Sequence, residues 1–207
     1  MGMTLHRLED HTMSRYTYNE DYLCKIDRTL RRALSITHRL TAIRVDLRFP
    51  ASDVPHREDS ATITRFFGSL KAKIQADLKR KNKAWKRNHT CPLFYVWVRE
   101  FGEINHKKHY HVLLLVNKDV YCGLGDFRKT DNTLCALVQQ AWCSAIDVDY
   151  PAERYLVHFP DNGCAWLDSN APHNDIAVEK LNQRCRYLAK TYSKDYSDGE
   201  RSFGCSR

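Results

Sequence analysis

The chain has 207 residues, 33 of them Lys or Arg and 25 Asp or Glu, for a formal net charge of +8. That length supports one sizeable core and argues against two full domains, and no run of about 18 apolar residues is present to span a membrane. A basic chain of this size leans toward a polyanion such as nucleic acid, although a generally basic soluble surface would carry the same charge.

Residues 1–18 are polar and aperiodic and read as a flexible N-terminal arm, followed by a single domain over 19–207. Residues 20–40 read as a helix, with Leu23, Ile26, Leu30 and Leu34 on one stripe. Thr41 to Phe49 then alternates, with Ile43, Val45, Leu47 and Phe49 on one face of a strand and Arg44, Asp46 and Arg48 on the other. Pro50 ends that strand, and Ala51 to Asp59 is a loop. A long helix follows through Ile63, Phe66, Phe67, Leu70, Ile74 and Leu78, its far half crowded with Lys71, Lys73, Lys79, Arg80 and Lys81. Leu93–Phe101 and His109–Val116 are the next strands, joined by a turn over Phe101–Lys108. Thr133–Ile146 reads as a helix. Arg154–Phe159 and Cys164–Leu167, split by Asp161-Asn162-Gly163, read as a hairpin. Asp175 to about Thr191 is the last long helix, and its apolar stripe makes Tyr192 a core aromatic.

The order implies an α+β fold: about five mostly antiparallel strands with flanking helices. Eight cysteines are present and no two form a C-x-x-C pair. Met1 to Asp21 shows no apolar signal-peptide stretch, so a cytoplasmic protein with reduced thiols is expected.

His109 and His111 open an otherwise aliphatic strand. Strand side chains alternate, so both imidazoles point the same way and can share one metal ion. Glu100 falls on the neighbouring strand, and if it pairs with His109 its carboxylate faces the same side. A slip of one residue would turn it away, leaving Glu103 and His106 as spare ligands. Ordinary histidines at a wet sheet edge would look the same in sequence. Three protein ligands leave open positions, which marks a catalytic rather than a closed structural site. Imidazoles permit Zn or Mn, whereas Mg prefers oxygen. Asp46 could orient a ligating imidazole, or pair with Arg44 or Arg48. On the last helix Tyr187 lies off the apolar stripe, with Lys190 one turn on. Beside a metal, that pair suggests a phenolate nucleophile steadied by a cation.

A histidine-hydrophobic-histidine strand, a preceding acid and a Tyr-x-x-Lys helix together resemble the HUH endonucleases, the rolling-circle replication initiators. The ordered pieces Arg44-Val45-Asp46-Leu47, Tyr95 to Glu100, His109 to Lys118, Ala141-Trp142, Leu156 to Pro160, Tyr187-Leu188-Ala189-Lys190 and Ser202-Phe203-Gly204 resemble one branch, the inovirus gene-two-protein-like family (YagK/YfjJ C-terminal domain). The resemblance covers about residue 35 to the C-terminus. It implies an HUH-like domain that nicks and rejoins single-stranded or hairpin DNA at a replication origin, with Mg2+ or Mn2+ held by Glu100, His109 and His111. Tyr187 would form a 5′-phosphotyrosine, aided by Lys190. Arg44, Arg48, Lys107, Lys108, Arg128, Lys129 and the basic end of the long helix would grip phosphates. A host replication helicase would be a partner, since no G-x-x-x-x-G-K-[ST] loop is present. Tyr110 departs from the aliphatic residue that other branches carry between the histidines. Tyr192 and Tyr196 keep a second nucleophile open. The alternative is a module of the same fold that binds a DNA or RNA hairpin without cutting, or a structural metal protein in which His106 joins the pair.

Overall fold

β1 (Arg39–Arg48) is buried at nearly every position between its ends, not at every second one, so its sheet is covered on both sides. A computed structural model describes residues 17–50, 53–102, 106–192, 194 and 197–206. Ile43, Val45 and Leu47 pack with Phe66, Leu70, Val138 and Trp142 of α2 (Thr62–Trp85) and α3 (Leu134–Ile146). Leu40 and Ala42, one residue out of phase, pack with Ile26, Leu30, Leu181 and Leu188 of the other side. That second layer is α1 (Glu20–Ile36), α4 (Asn174–Cys185) and the 3-10 turn Arg186–Ala189.

Helices α1 and α3 start where a side chain satisfies one of their first N–H groups. Asn19 accepts from Tyr22 N at 3.1 Å before α1, and Thr133 accepts from Ala136 N at 3.3 Å before α3. α1 is shorter than the expected 20–40. It stops at Ile36, and the chain is extended again by Arg39.

The sheet is antiparallel in every pair. β3 (Lys108–Asn117) lies between β1 and β2 (Phe94–Phe101), and β6 (Phe203–Cys205) extends the β2 side. β4 (Val157–His158) and β5 (Cys164–Asp168) complete six strands. The hairpin expected between these two does not form. Both pair with β1 along the same edge, so they are two pieces of one interrupted edge strand. β4 pairs down to Asp46↔His158 and β5 resumes at Ile43↔Cys164, so residues 159–163 stand opposite only Arg44 and Val45, three more than the pairing needs. The reason is local: Gly163 N donates back to Pro160 O at 2.9 Å and Asn162 takes φ +56°, which loops the chain out and returns it in the same direction. A Cβ on Gly163 would lie 2.7 Å from Pro160 O, so the loop-out requires glycine there.

Three further expectations change. α4 gives way at Arg186 to a 3-10 turn instead of running to Thr191, because residues 189–191 leave to pair with 17–19. Tyr192 is exposed rather than a core aromatic. Residues 1–16 of the expected arm lie outside the described residues, while Thr17 accepts from Thr191 N at 3.2 Å and Tyr18 bridges to Lys190. Among the described residues no helix is long and apolar enough to cross a membrane.

Candidate active site

Register decides the site. Glu100 pairs with His109, Val98 with His111, and Asp46 with His111 from the other side. All the polar members therefore share the α1/α4 face, at the end of the sheet where β3 begins. One ligand atom from each of Glu100, His109 and His111 lies within 4.8 Å of the others. His111 and Glu100 are buried and His109 half-buried.

The hydrogen bonds fix which atoms face inward. His111 Nδ1 donates to Asp46 Oδ1 at 2.6 Å, and His109 Nδ1 donates to the Lys107 carbonyl at 3.2 Å. With both Nδ1–H groups used, both Nε2 atoms offer lone pairs, and they face each other at 3.2 Å. Glu100 Oε2 is 3.4 Å from His111 Nε2. Its other oxygen, Oε1, accepts from Lys194 Nζ at 3.1 Å, and the same ammonium donates to the Lys190 carbonyl. Three electron pairs thus converge on one point, each oriented by a second bond behind it.

The electrostatics agree. Burial opposes the charge of Glu100, but its bond to His111 and the Lys194 ammonium outweigh it and hold the pKa below the usual range. Burial and the neighbouring His111 push His109 down, toward the neutral, ligating form. Burial also disfavours charge on His111, yet Asp46 and Glu100 prevail and raise its pKa. That position attracts positive charge, whether proton or metal. Two imidazoles and a carboxylate fit a divalent ion with open positions.

Tyr187 lies above this cluster. Its ring meets the His111 ring edge-on at 5.4 Å between centroids. The Lys190 ammonium is 4.3 Å and the Arg44 guanidinium carbon 4.9 Å from its ring centre. In a 3-10 turn, residues three apart eclipse, which stacks Lys190 on Tyr187. Beside the ring a cleft of about 260 Å3 opens between the 160–163 loop-out and α4, lined by Arg44, Pro160, Gly163, Arg184 and Tyr187 over a floor of Leu181.

A match to the family described as YagK/YfjJ C-terminal domain runs over residues 4–206. The chain belongs to that family. It is 38% identical over 195 residues to the uncharacterized protein YagK of Escherichia coli (strain K12), covering 90% of this chain and 92% of the relative. The uncharacterized protein YfjJ of the same strain is 37% identical over 174 residues, 80% of this chain and 83% of the relative. No solved structure matches the chain.

The remaining expected residues divide. Arg48 lies directly across from His109 on the same face and is exposed, and Arg44 joins Asp46 at 3.4 Å. Exposed Lys107 contributes its carbonyl to His109. Lys108 is committed elsewhere: its ammonium is enclosed and pairs with Glu58 at 3.0 Å and Glu200 at 3.8 Å. Arg128 and Lys129 are exposed, Arg128 pairs with Asp126 at 3.0 Å, and Phe127 between them packs on Phe159 next to β4. The basic end of α2 is on the opposite face of the sheet. His106 is exposed and does not join the cluster, and Glu103 and Tyr196 lie outside the described residues.

Two residues of this family member carry roles that sequence reading did not assign. Lys194 braces Glu100 with its side chain fully buried. No pattern marked it, because it follows the last helix and is 94 residues from its partner. His158 Nδ1 is 3.4 Å from Asp46 Oδ2, so one carboxylate holds two imidazoles. Its signal was available: an isolated histidine in the Leu156–Pro160 segment, on a strand beside Asp46.

Proposed function

We propose that this protein is a metal-dependent tyrosine endonuclease of the HUH type, related to inovirus gene-two proteins, that nicks and rejoins single-stranded or hairpin DNA to start rolling-circle replication in the cytoplasm. The observation that carries the reading is the convergence of the His109 and His111 lone pairs and the Glu100 carboxylate beneath the Tyr187 ring. Glu100, His109 and His111 would hold Mg2+ or Mn2+, and the chemistry such an ion supplies when bound is polarisation of a phosphate oxygen. Tyr187 supplies the nucleophile. Its phenolic oxygen bonds to phosphorus as its proton leaves, and the bond to the 3′ oxygen breaks. That oxygen takes up a proton to become a free 3′-OH, and the 5′ phosphate stays on the tyrosine. The reverse attack by a 3′-OH rejoins the strand. Lys190 and Arg44, already against the ring, offset the negative charge that accumulates. Arg48 and Lys107, exposed beside His109, suit contacts to flanking phosphates.

The test is incubation of the protein with labelled single-stranded and hairpin DNA and Mn2+ or Mg2+, followed by denaturing electrophoresis. A shortened strand and a protein–DNA adduct are expected. Tyr187→Phe should remove the adduct and lower the rate at least a thousandfold, about 4 kcal/mol of barrier. A fully active Tyr187→Phe would take the nucleophile's role from this residue and move it to Tyr192. Salt-dependent hairpin binding with no breaks under any divalent ion would favour the non-cutting module instead.

A further inference from the structure

Helix α2 ends in a group of cations that the proposed reaction does not use. Lys79, Lys83, Lys86 and Arg87 are exposed. Lys79 and Lys83 lie one turn apart in the last turns of α2, and Lys86, in the left-handed conformation that ends the helix, and Arg87 follow directly after it, so the four gather at one end of the element. Among the described residues none of the four is in an ion pair. Arg80 and Lys81, on the same turns, are both paired with Asp77. Asp77 is the sole acid between Lys71 and Thr90 in the sequence, and it is buried. A solvated helix face that merely keeps a protein soluble usually mixes both signs. This one does not.

The position of this group is fixed. Lys81 Nζ donates to Val120 O at 3.4 Å, and Asn82 Nδ2 donates to His89 O at 2.9 Å, which pin the end of α2 beside the exit of β3. His109 and His111 sit near the entry of β3 and are eight and six residues from its exit at Asn117, so the two places are about 20–27 Å apart along the sheet. They also lie on opposite faces, because α2 covers Ile43, Val45 and Leu47 while Asp46 and His111 point the other way. A phosphate seated at Tyr187 is therefore out of reach of these cations.

We propose that the end of α2 is a second nucleic-acid contact, in which Lys79, Lys83, Lys86 and Arg87 hold the phosphate backbone of a double-stranded segment distinct from the strand at Tyr187. Backbone contact is favoured over base stacking by the neighbouring Trp85. Its ring, though 45% exposed, already has the Lys81 ammonium 5.7 Å from its centre and His89 edge-on at 6.1 Å. Lys79 and Lys83 stand on the helix, and the turn that carries Lys86 and Arg87 is tied back to it by Asn82, which bonds both the His89 carbonyl and its N–H, so the cations are held at fixed spacing, as the phosphates of a duplex are.

The experiment measures fluorescence anisotropy of a random-sequence duplex of about twenty base pairs, across a salt series and without divalent metal. The full-length protein should bind. Combined Lys79→Ala, Lys83→Ala, Lys86→Ala and Arg87→Ala should weaken binding at low salt at least tenfold and reduce the log–log salt slope by about 3 to 4, near 0.9 per lost phosphate contact. A control removes four cations from α1 (Lys25→Ala, Arg28→Ala, Arg31→Ala, Arg32→Ala) and should leave the slope nearly unchanged. Absence of duplex binding by the parent, an unchanged quadruple variant, or an equal loss in the control would each overturn the proposal. Tighter binding of a single strand that depends on the same four residues would overturn its duplex assignment. Binding is read without strand cleavage, so a parent that binds duplex but never nicks would remove the nuclease reading and leave this one standing.

Discussion

The Nε2 atoms of His109 and His111 face each other at 3.2 Å. Burial disfavours charge on His111, but its bonds to Asp46 and Glu100 outweigh it and raise its pKa, so this position favours a positive charge. Asp46 keeps the arrangement in place by fixing the tautomer of His111. Asp46→Asn should therefore weaken Mn2+ binding about 10- to 100-fold in isothermal titration calorimetry, with the fold retained by circular dichroism. Unchanged affinity would remove Asp46 from the site. Lys194→Met strands Glu100 as a buried charge without its partner. Urea denaturation of the metal-free variant should show a loss of about 3 kcal/mol, and added Mn2+ should restore part of it by binding the native state. At this scale the sequence was informative where a pleat imposes alternation, as for Glu100, His109 and His111. It was silent on Lys194, whose partner is set by how the chain returns after α4 rather than by any local period.

Among the elements, the long helices were legible from their periods, because each buries one face, and the three central strands from their runs of apolar and β-branched residues, although both of their faces are covered. The short edge pieces were not. Asp161-Asn162-Gly163 has the composition of a reversal, and only the pairing of both flanks with β1 shows a loop-out instead. The break in the last helix was equally hidden, since Arg186–Ala189 contains no glycine or proline. β6 offers a stability test. Gly204 lies so close to Trp97 that a Cβ would sit 2.5 Å from its Nε1, and the Trp97 ring is buried in the core and cannot retreat. Gly204→Ala should destabilise the protein by about 1–3 kcal/mol, lowering the urea midpoint at constant m-value. Asn19→Ala, which uncaps α1, should cost about 1 kcal/mol in the same assay.

For the molecule as a whole, two apolar layers enclose the sheet without help from a metal. EDTA should abolish nicking while shifting the melting temperature by only a few degrees; collapse of the fold would instead mark the ion as structural. Acid should be more damaging. Arg65 beside Asp59 and Arg99 beside Asp198 hold both carboxyls at a pKa of about 2. Depressed carboxyl pKa values stabilise the folded state above the unfolded value near ~4 and lose that contribution as pH falls toward about 2. Melting temperature should fall across that window, and Asp198→Asn or Asp59→Asn should flatten the fall. The loop-out at 159–163 bears on the molecule in another way. An edge strand unbroken from 157 to 168 would form a continuous rim and wall in the flank of Tyr187. Gly163 still accepts from Arg44 N at 2.7 Å, so the surplus is taken up in the loop ahead of it, which turns that rim into a threshold beside the cleft. The loop is thus one wall of the doorway, facing Arg184 and Tyr187 across it, and a change in its length would widen or narrow the opening without touching the residues beneath.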